Sequence, residues 1–141
     1  TAEMETEIAA IVSQVEDVDQ GPRVFHELDS TLFTVGPGSF QDAIYTLLKA
    51  QNVAQSTGEP FPQLGNEAVI AADPEVIALA DGEFGESLET VAARPGWGSI
   101  SAVTTGRVSP VDDDLLSRPG PRVVDGVMEL ASILYPETFG Q

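Results

Sequence analysis

Apolar residues along this chain change period several times, and each change predicts a new element. Met4, Ile8, Ile11, Val12, Val15 and Val18 recur at three- and four-residue spacing, which predicts an amphipathic helix stopped by Gly21-Pro22. Val24-Phe25-His26-Glu27 then reads as a short strand, Leu28 to Gly38 as a loop, and Ser39 opens a second helical pattern ending near Ala50. Gln51 to Glu67 is rich in turn residues and holds Phe61 between Pro60 and Pro62, two prolines that stiffen its backbone. A short helix is predicted from Asn66 to Ala72, a strand from Val76 to Ala80, and a helix with Leu88, Val91 and Ala92 on its apolar face, broken at Arg94-Pro95-Gly96. A last strand runs from Val108 to Val111, and Val123, Val127, Leu130, Ala131 and Leu134 mark a closing helix that Tyr135-Pro136 ends. Strand, loop and helix in alternation predict an α/β fold, with a parallel sheet and helices on its faces. In such sheets the loops leaving the carboxyl ends of the strands line the ligand crevice. Here those loops follow Glu27, include Asp81-Gly82-Glu83, and include Asp112-Asp113-Asp114.

Composition narrows the classes of partner. The 141 residues suit one domain. They carry 23 acids against six lysines and arginines, a formal charge of −17 spread along the chain. Nucleic acid and anionic lipid both require a basic surface, so neither is an expected partner. The absence of cysteine excludes disulfides and thiolate chemistry. No apolar run approaches the ~20 residues needed to span a bilayer. The chain opens at Thr1 inside a helical pattern, as a processed or truncated product would.

Candidate chemistry is sparse. Gly36-Pro37-Gly38-Ser39 offers either an anion cradle or simply a helix start capped by Ser39; Pro37 has no amide to donate, which favours the cap. Asp112 to Asp114 at a strand end resemble a magnesium-dependent phosphoacceptor site, against which stands the lack of a suitably placed lysine, since Lys49 lies in a helix. His26 is the only histidine and lies in a strand without a Gly-x-Ser-x-Gly elbow, so a structural or rim role outweighs that of a general base. No enzyme constellation stands out. Trp97, after a helix end, reads as a packing anchor with its ring edge exposed.

Three stretches taken together resemble the C-terminal lobe of class III extracytoplasmic solute-binding proteins, which serve ABC importers of cobalamin, ferric siderophores and haem. They are Arg23 to Asp29 with Gly36-Pro37-Gly38-Ser39-Phe40; Phe61-Pro62-Gln63 followed by Glu67; and Arg94-Pro95-Gly96-Trp97 continuing through Gly106-Arg107-Val108 to Arg122. The resemblance covers nearly all of residues 20–137 and is strongest to the cobalamin branch. It implies a three-layer, Rossmann-like lobe over residues 19–141 with a mostly parallel sheet of about four or five strands. It also implies that residues 1–18 are the end of a long helix from an N-terminal lobe absent from this chain. The stripe from Met4 to Val18 would then be partly uncovered and prone to self-association.

By the same resemblance Phe33 and Phe61 are positions where the family sets aromatic rings against its ligand. Leu115, Leu116 and Arg118 fall on a ligand-facing loop, and Glu67 matches a glutamate that pairs with arginines of the membrane permease. Location outside the cytoplasmic membrane follows, in the periplasm or on a lipoprotein anchor. Arg118 is the only basic residue well placed on a candidate cleft loop. Carboxylate siderophores and haem propionates call for arginine clamps, so a nearly neutral corrinoid is the better expected match.

Overall fold

A computed structural model describes residues 2–116 and 122–139. Four strands form one all-parallel sheet in the order β2-β1-β3-β4: β1 is Arg23–Glu27, β2 Gln51–Asn52, β3 Val76–Leu79 and β4 Val108–Pro110. Val24 pairs with Val76 and Glu27 with Leu79 across the central two. Strands covered on both faces lose the polar half of their alternation, which is why β3 reads Val-Ile-Ala-Leu and is buried throughout.

Side chains leave the strands alternately, so the sheet has two cores. On one face Val24, Val76, Ala78 and Ala80 meet α1 (Ala2–Ser13), α2 (Phe40–Leu47) and α7 (Val123–Leu134). On the other, Phe25, Ile77 and Leu79 meet α3 (Asn66–Ala72), α4 (Leu88–Ala92) and α5 (Ser101–Thr104). The three layers expected from the resemblance are therefore present. Two short helices, α6 (Asp113–Leu116) and α8 (Pro136–Phe139), complete the described chain.

Differences from the sequence reading have local causes. β2 escaped notice because two residues of polar character, Gln51 and Asn52, form it; Asn52 is buried and donates to the Val35 carbonyl and to Asp42. Ser39 caps α2 by accepting from the Asp42 amide at 3.0 Å while its hydroxyl donates to Gly36 O, so the hydroxyl is engaged in building the helix start rather than turned to an anion. The first helix stops at Ser13, and its stripe packs on the sheet's first core, with Met4, Ile8, Val12 and Val18 half-buried. Ile11 and Val15 are buried against α7, and Met4, Ile8 and Val18 pack on the same core. The self-association expected from an uncovered stripe has no support in this packing.

Trp97 is fully buried, contrary to the expected exposed edge. Its indole N–H donates to Asn66 Oδ1 at 3.0 Å, Phe25 meets it edge-on at 6.1 Å, and the Arg94 guanidinium lies 4.6 Å from its ring centre. Trp97→Ala is expected to cost about 3–5 kcal/mol of unfolding free energy by urea titration; a loss below about 1 kcal/mol would mean that this ring does not anchor the second core.

Candidate functional site

With strand order β2-β1-β3-β4, the connection from β1 goes one way and that from β3 the other. The loops after β1 and β3 therefore part at the centre of the sheet, the place on the carboxyl edge where open α/β sheets bind their ligands. Three loops and their charged floor build this edge.

The β1 loop is braced by a ribbon. Phe33 forms an antiparallel bridge with Gln63: the Thr34 amide donates to Pro62 O at 2.9 Å and the Leu64 amide to Leu32 O at 3.0 Å. The Gly36 amide continues the pattern onto Pro60 O at 2.8 Å. A Cβ on Gly36 would collide with the Glu59 carbonyl, so only glycine allows the two segments to lie this close. Buried Leu32 adopts a left-handed φ of 73°, turning the chain so that Leu32 faces inward and Phe33 outward. Phe61 lies two residues before Gln63 and hence on the same face of the ribbon as Phe33. The rings are 40% and 53% exposed, so the two expected aromatics sit together at the surface. Phe61 does not plug the core.

Beneath them lies a buried ionic floor that sequence reasoning missed. Glu27, the last residue of β1, is fully buried and takes both guanidinium nitrogens of Arg94, at 2.7 and 2.8 Å; Arg94 also reaches Glu86 at 2.9 Å. Asp81, just after β3, is buried with no donor for either oxygen. Burial, and then the Glu27 carboxylate beside it, push the Asp81 carboxyl up to about 8. A protonated Asp81 becomes a donor with Glu27 as its acceptor, which removes the need for an outside partner. The signal available in the sequence was Asp81-Gly82-Glu83 on a cleft loop; the arginine that makes it a cluster lies 13 residues on, in a segment read as a helix stop and as part of the resemblance but not as an ion-pair partner.

The β4 loop carries less chemistry than its three acids promise. The Asp112 amide donates to Glu129 and the Asp112 carboxylate accepts from the Asp114 amide at 3.0 Å, a capping turn for α6. Among the described residues no group of three potential metal ligands gathers, so the phosphoacceptor reading has no support. A cavity of about 420 Å³ lies beside this loop, edged by Glu83, Pro110, Asp112 and Glu129. Leu115 is 8% exposed and part of the first core, and it also lines a second cavity of about 500 Å³ with Pro110, Met128 and Glu129. The Leu116 side chain and all of Arg118 lie outside the described residues. Glu67 is exposed in the first turn of α3, on the same carboxyl edge, a few residues after Phe61. His26 is buried beneath the β1 loop with Nδ1 2.6 Å from the Tyr45 hydroxyl, and burial lowers its pKa to about 4, a structural arrangement with no access for a substrate.

Comparison with known proteins gives a consistent picture. A family model described as "Periplasmic binding protein" matches residues 1–115. A Bacillus subtilis protein named an uncharacterized ABC transporter substrate-binding lipoprotein is 37% identical over 124 residues, covering 86% of this chain and 38% of its own length. A Halobacterium salinarum cobalamin-binding protein is 31% identical over 145 residues, covering 99% of this chain and 39% of its own length. Among solved structures, a possible iron-binding periplasmic solute-binding protein of Staphylococcus epidermidis superposes with a TM-score of 0.84 at 26% identity, over 95% of this chain and 53% of the other. The chain thus spans about two fifths of the length of these curated relatives. No helix among the described residues is long and apolar enough to cross a membrane.

The floor makes stability depend on pH. The folded chain keeps the Asp81 proton where the unfolded chain has lost it, so this contribution is complete at acid pH and is lost as pH rises towards 8. His26 acts in the opposite sense, its lowered pKa adding stability as pH rises from about 4 to 6.5, above which it is neutral in both states. Between pH 6.5 and 8 the wild type is expected to lose on the order of 1 kcal/mol in urea titrations, while Asp81→Asn stays flat. Parallel slopes for the two proteins would show that Asp81 holds no proton.

Proposed function

The chain belongs to the periplasmic binding protein family, and on that premise we propose that it is one jaw of the solute-binding component of an ABC importer, gripping a bulky metal chelate of the cobalamin class without catalysis. The observation that carries this reading is the pair Phe33 and Phe61, exposed on one face of a braced ribbon at the carboxyl edge of a parallel sheet. Two flat apolar rings held by backbone hydrogen bonds suit a large, rigid ligand, because little conformational freedom is lost on binding. The opposing surface belongs to a second lobe, and residues 1–18, helical over Ala2–Ser13, are the near end of the connection to it.

Charge favours a corrinoid over an anionic chelate. Arg94 is committed to Glu27 and Glu86, Arg107 donates to the carbonyls of Ile133 and Leu134, and Arg23 pairs with Asp73 and Glu75 at the opposite end of the strands. Among the described residues only Arg122, exposed before α7, puts a cation on the cleft side, with Arg118 and Leu116 as further contacts of the β4 loop. The name of the Halobacterium relative points the same way. Glu67 docks on the permease, its carboxylate meeting a basic residue there, and the whole protein works outside the cytoplasmic membrane, a reading supported by the Bacillus relative's name as a substrate-binding lipoprotein.

In the complete two-lobe protein, calorimetry is expected to show cobalamin binding that Phe33→Ala and Phe61→Ala each weaken about tenfold to a hundredfold with circular dichroism unchanged. If cobalamin, haem and a ferric siderophore all fail to bind the wild type, the reading falls. Glu67→Ala should leave ligand affinity intact and lower ligand-stimulated ATP hydrolysis by the reconstituted importer; unchanged hydrolysis would remove Glu67 from the docking surface.

A further inference from the structure

We infer that Phe84 is a third ligand-contacting aromatic, the specificity-determining residue of the β3 loop, and that the ionic floor beneath it exists to hold it in place. The inference rests on the chelate-binding reading above and adds to it a residue from the opposite wall of the crevice. Phe84 is 80% exposed, the most exposed large apolar side chain among the described residues. Its neighbours are Asp81, Gly82, Glu83, Gly85 and Glu86, a segment otherwise without apolar side chains, so the ring belongs to no core and folding does not account for it.

An apolar ring this open would ordinarily sit on a loose loop, and this loop is tied down at both ends. Asp81 is buried at its start, next to Glu27. Gly82 lies against Pro110 so closely that a Cβ would touch the proline ring at 2.8 Å. The Phe84 amide donates to Asp81 O at 3.0 Å, Gly85 turns back with φ of 103°, and Glu86 ends the loop on Arg94, which is already held by Glu27. Glu27 therefore links the last residue of β1 to both ends of the β3 loop. Phe33 leaves the sheet on one side of the switch point and Phe84 on the other, with Phe61 beside Phe33. Three phenylalanines on successive loops of the carboxyl edge offer apolar contacts that a flat macrocycle can use and a small polar solute cannot.

The test uses the complete two-lobe protein and whichever of cyanocobalamin, haem or a ferric hydroxamate siderophore binds the wild type. Phe84→Ala is expected to weaken that binding roughly tenfold to a hundredfold, the effect of withdrawing one buried aromatic ring. Phe84→Trp should restore affinity to within about threefold, and Leu47→Ala, an exposed apolar residue on α2, should change nothing. Wild-type affinity in Phe84→Ala overturns the inference while leaving the chelate reading intact; if transport alone then falls, Phe84 is a permease contact instead. A wild type that binds none of the three probes removes the chelate reading and this inference with it.

Discussion

The Glu27–Arg94 ion pair is the constraint on which the carboxyl edge depends. A carboxylate at the end of a central strand, with no exposed surface, is tolerable only if its charge is met inside the protein. Arg94 meets it with two nearly parallel hydrogen bonds and is itself sandwiched against the face of Trp97. Such pairs add little net stability, because desolvation offsets much of the attraction. Their effect is geometric: with Glu27 fully buried and Arg94 largely so, neither wall can shift without leaving the buried carboxylate uncompensated.

That geometry gives the two walls different characters. The β1 wall is a ribbon whose hydrogen bonds run backbone to backbone, so its shape is insensitive to charge. The β3 wall stands on carboxylates, one of which keeps a proton at neutral pH. Where the first wall is fixed by chain geometry, the second is fixed by electrostatics.

Much of the fold was legible because its signals are local. The change from period-two to period-3.6 patterning located three strands and the helices α3, α4 and α7, since each buries a contiguous apolar face. The edge strand β2 was not legible, as two polar residues paired only through their backbones leave no hydrophobic trace. The site divided the same way. Phe33 and Phe61 could be marked through the resemblance, and their exposure follows from flanking backbone geometry that Pro60, Pro62 and Gly36 announce. The floor could not be marked, because Glu27 and Arg94 lie 67 positions apart and only the parallel pairing of β1 with β3 brings them together. Leu115 shows a related limit: a leucine after a strand reads equally as rim or core, and in the fold it joins the first core while lining a cavity.

The two prolines around Phe61 also bear on how such a surface survives in solution. A ribbon that displays aromatic rings is a ready template for another chain to zip onto, since unpaired amides along an edge invite a further strand. Pro60 and Pro62 have only carbonyls to offer, and both carbonyls are already taken by Gly36 and Thr34. The pairing left to the outer edge of the ribbon is thus confined to the amides and carbonyls of Phe61 and Gln63, and the prolines on either side of Phe61 stiffen the short stretch that displays its ring.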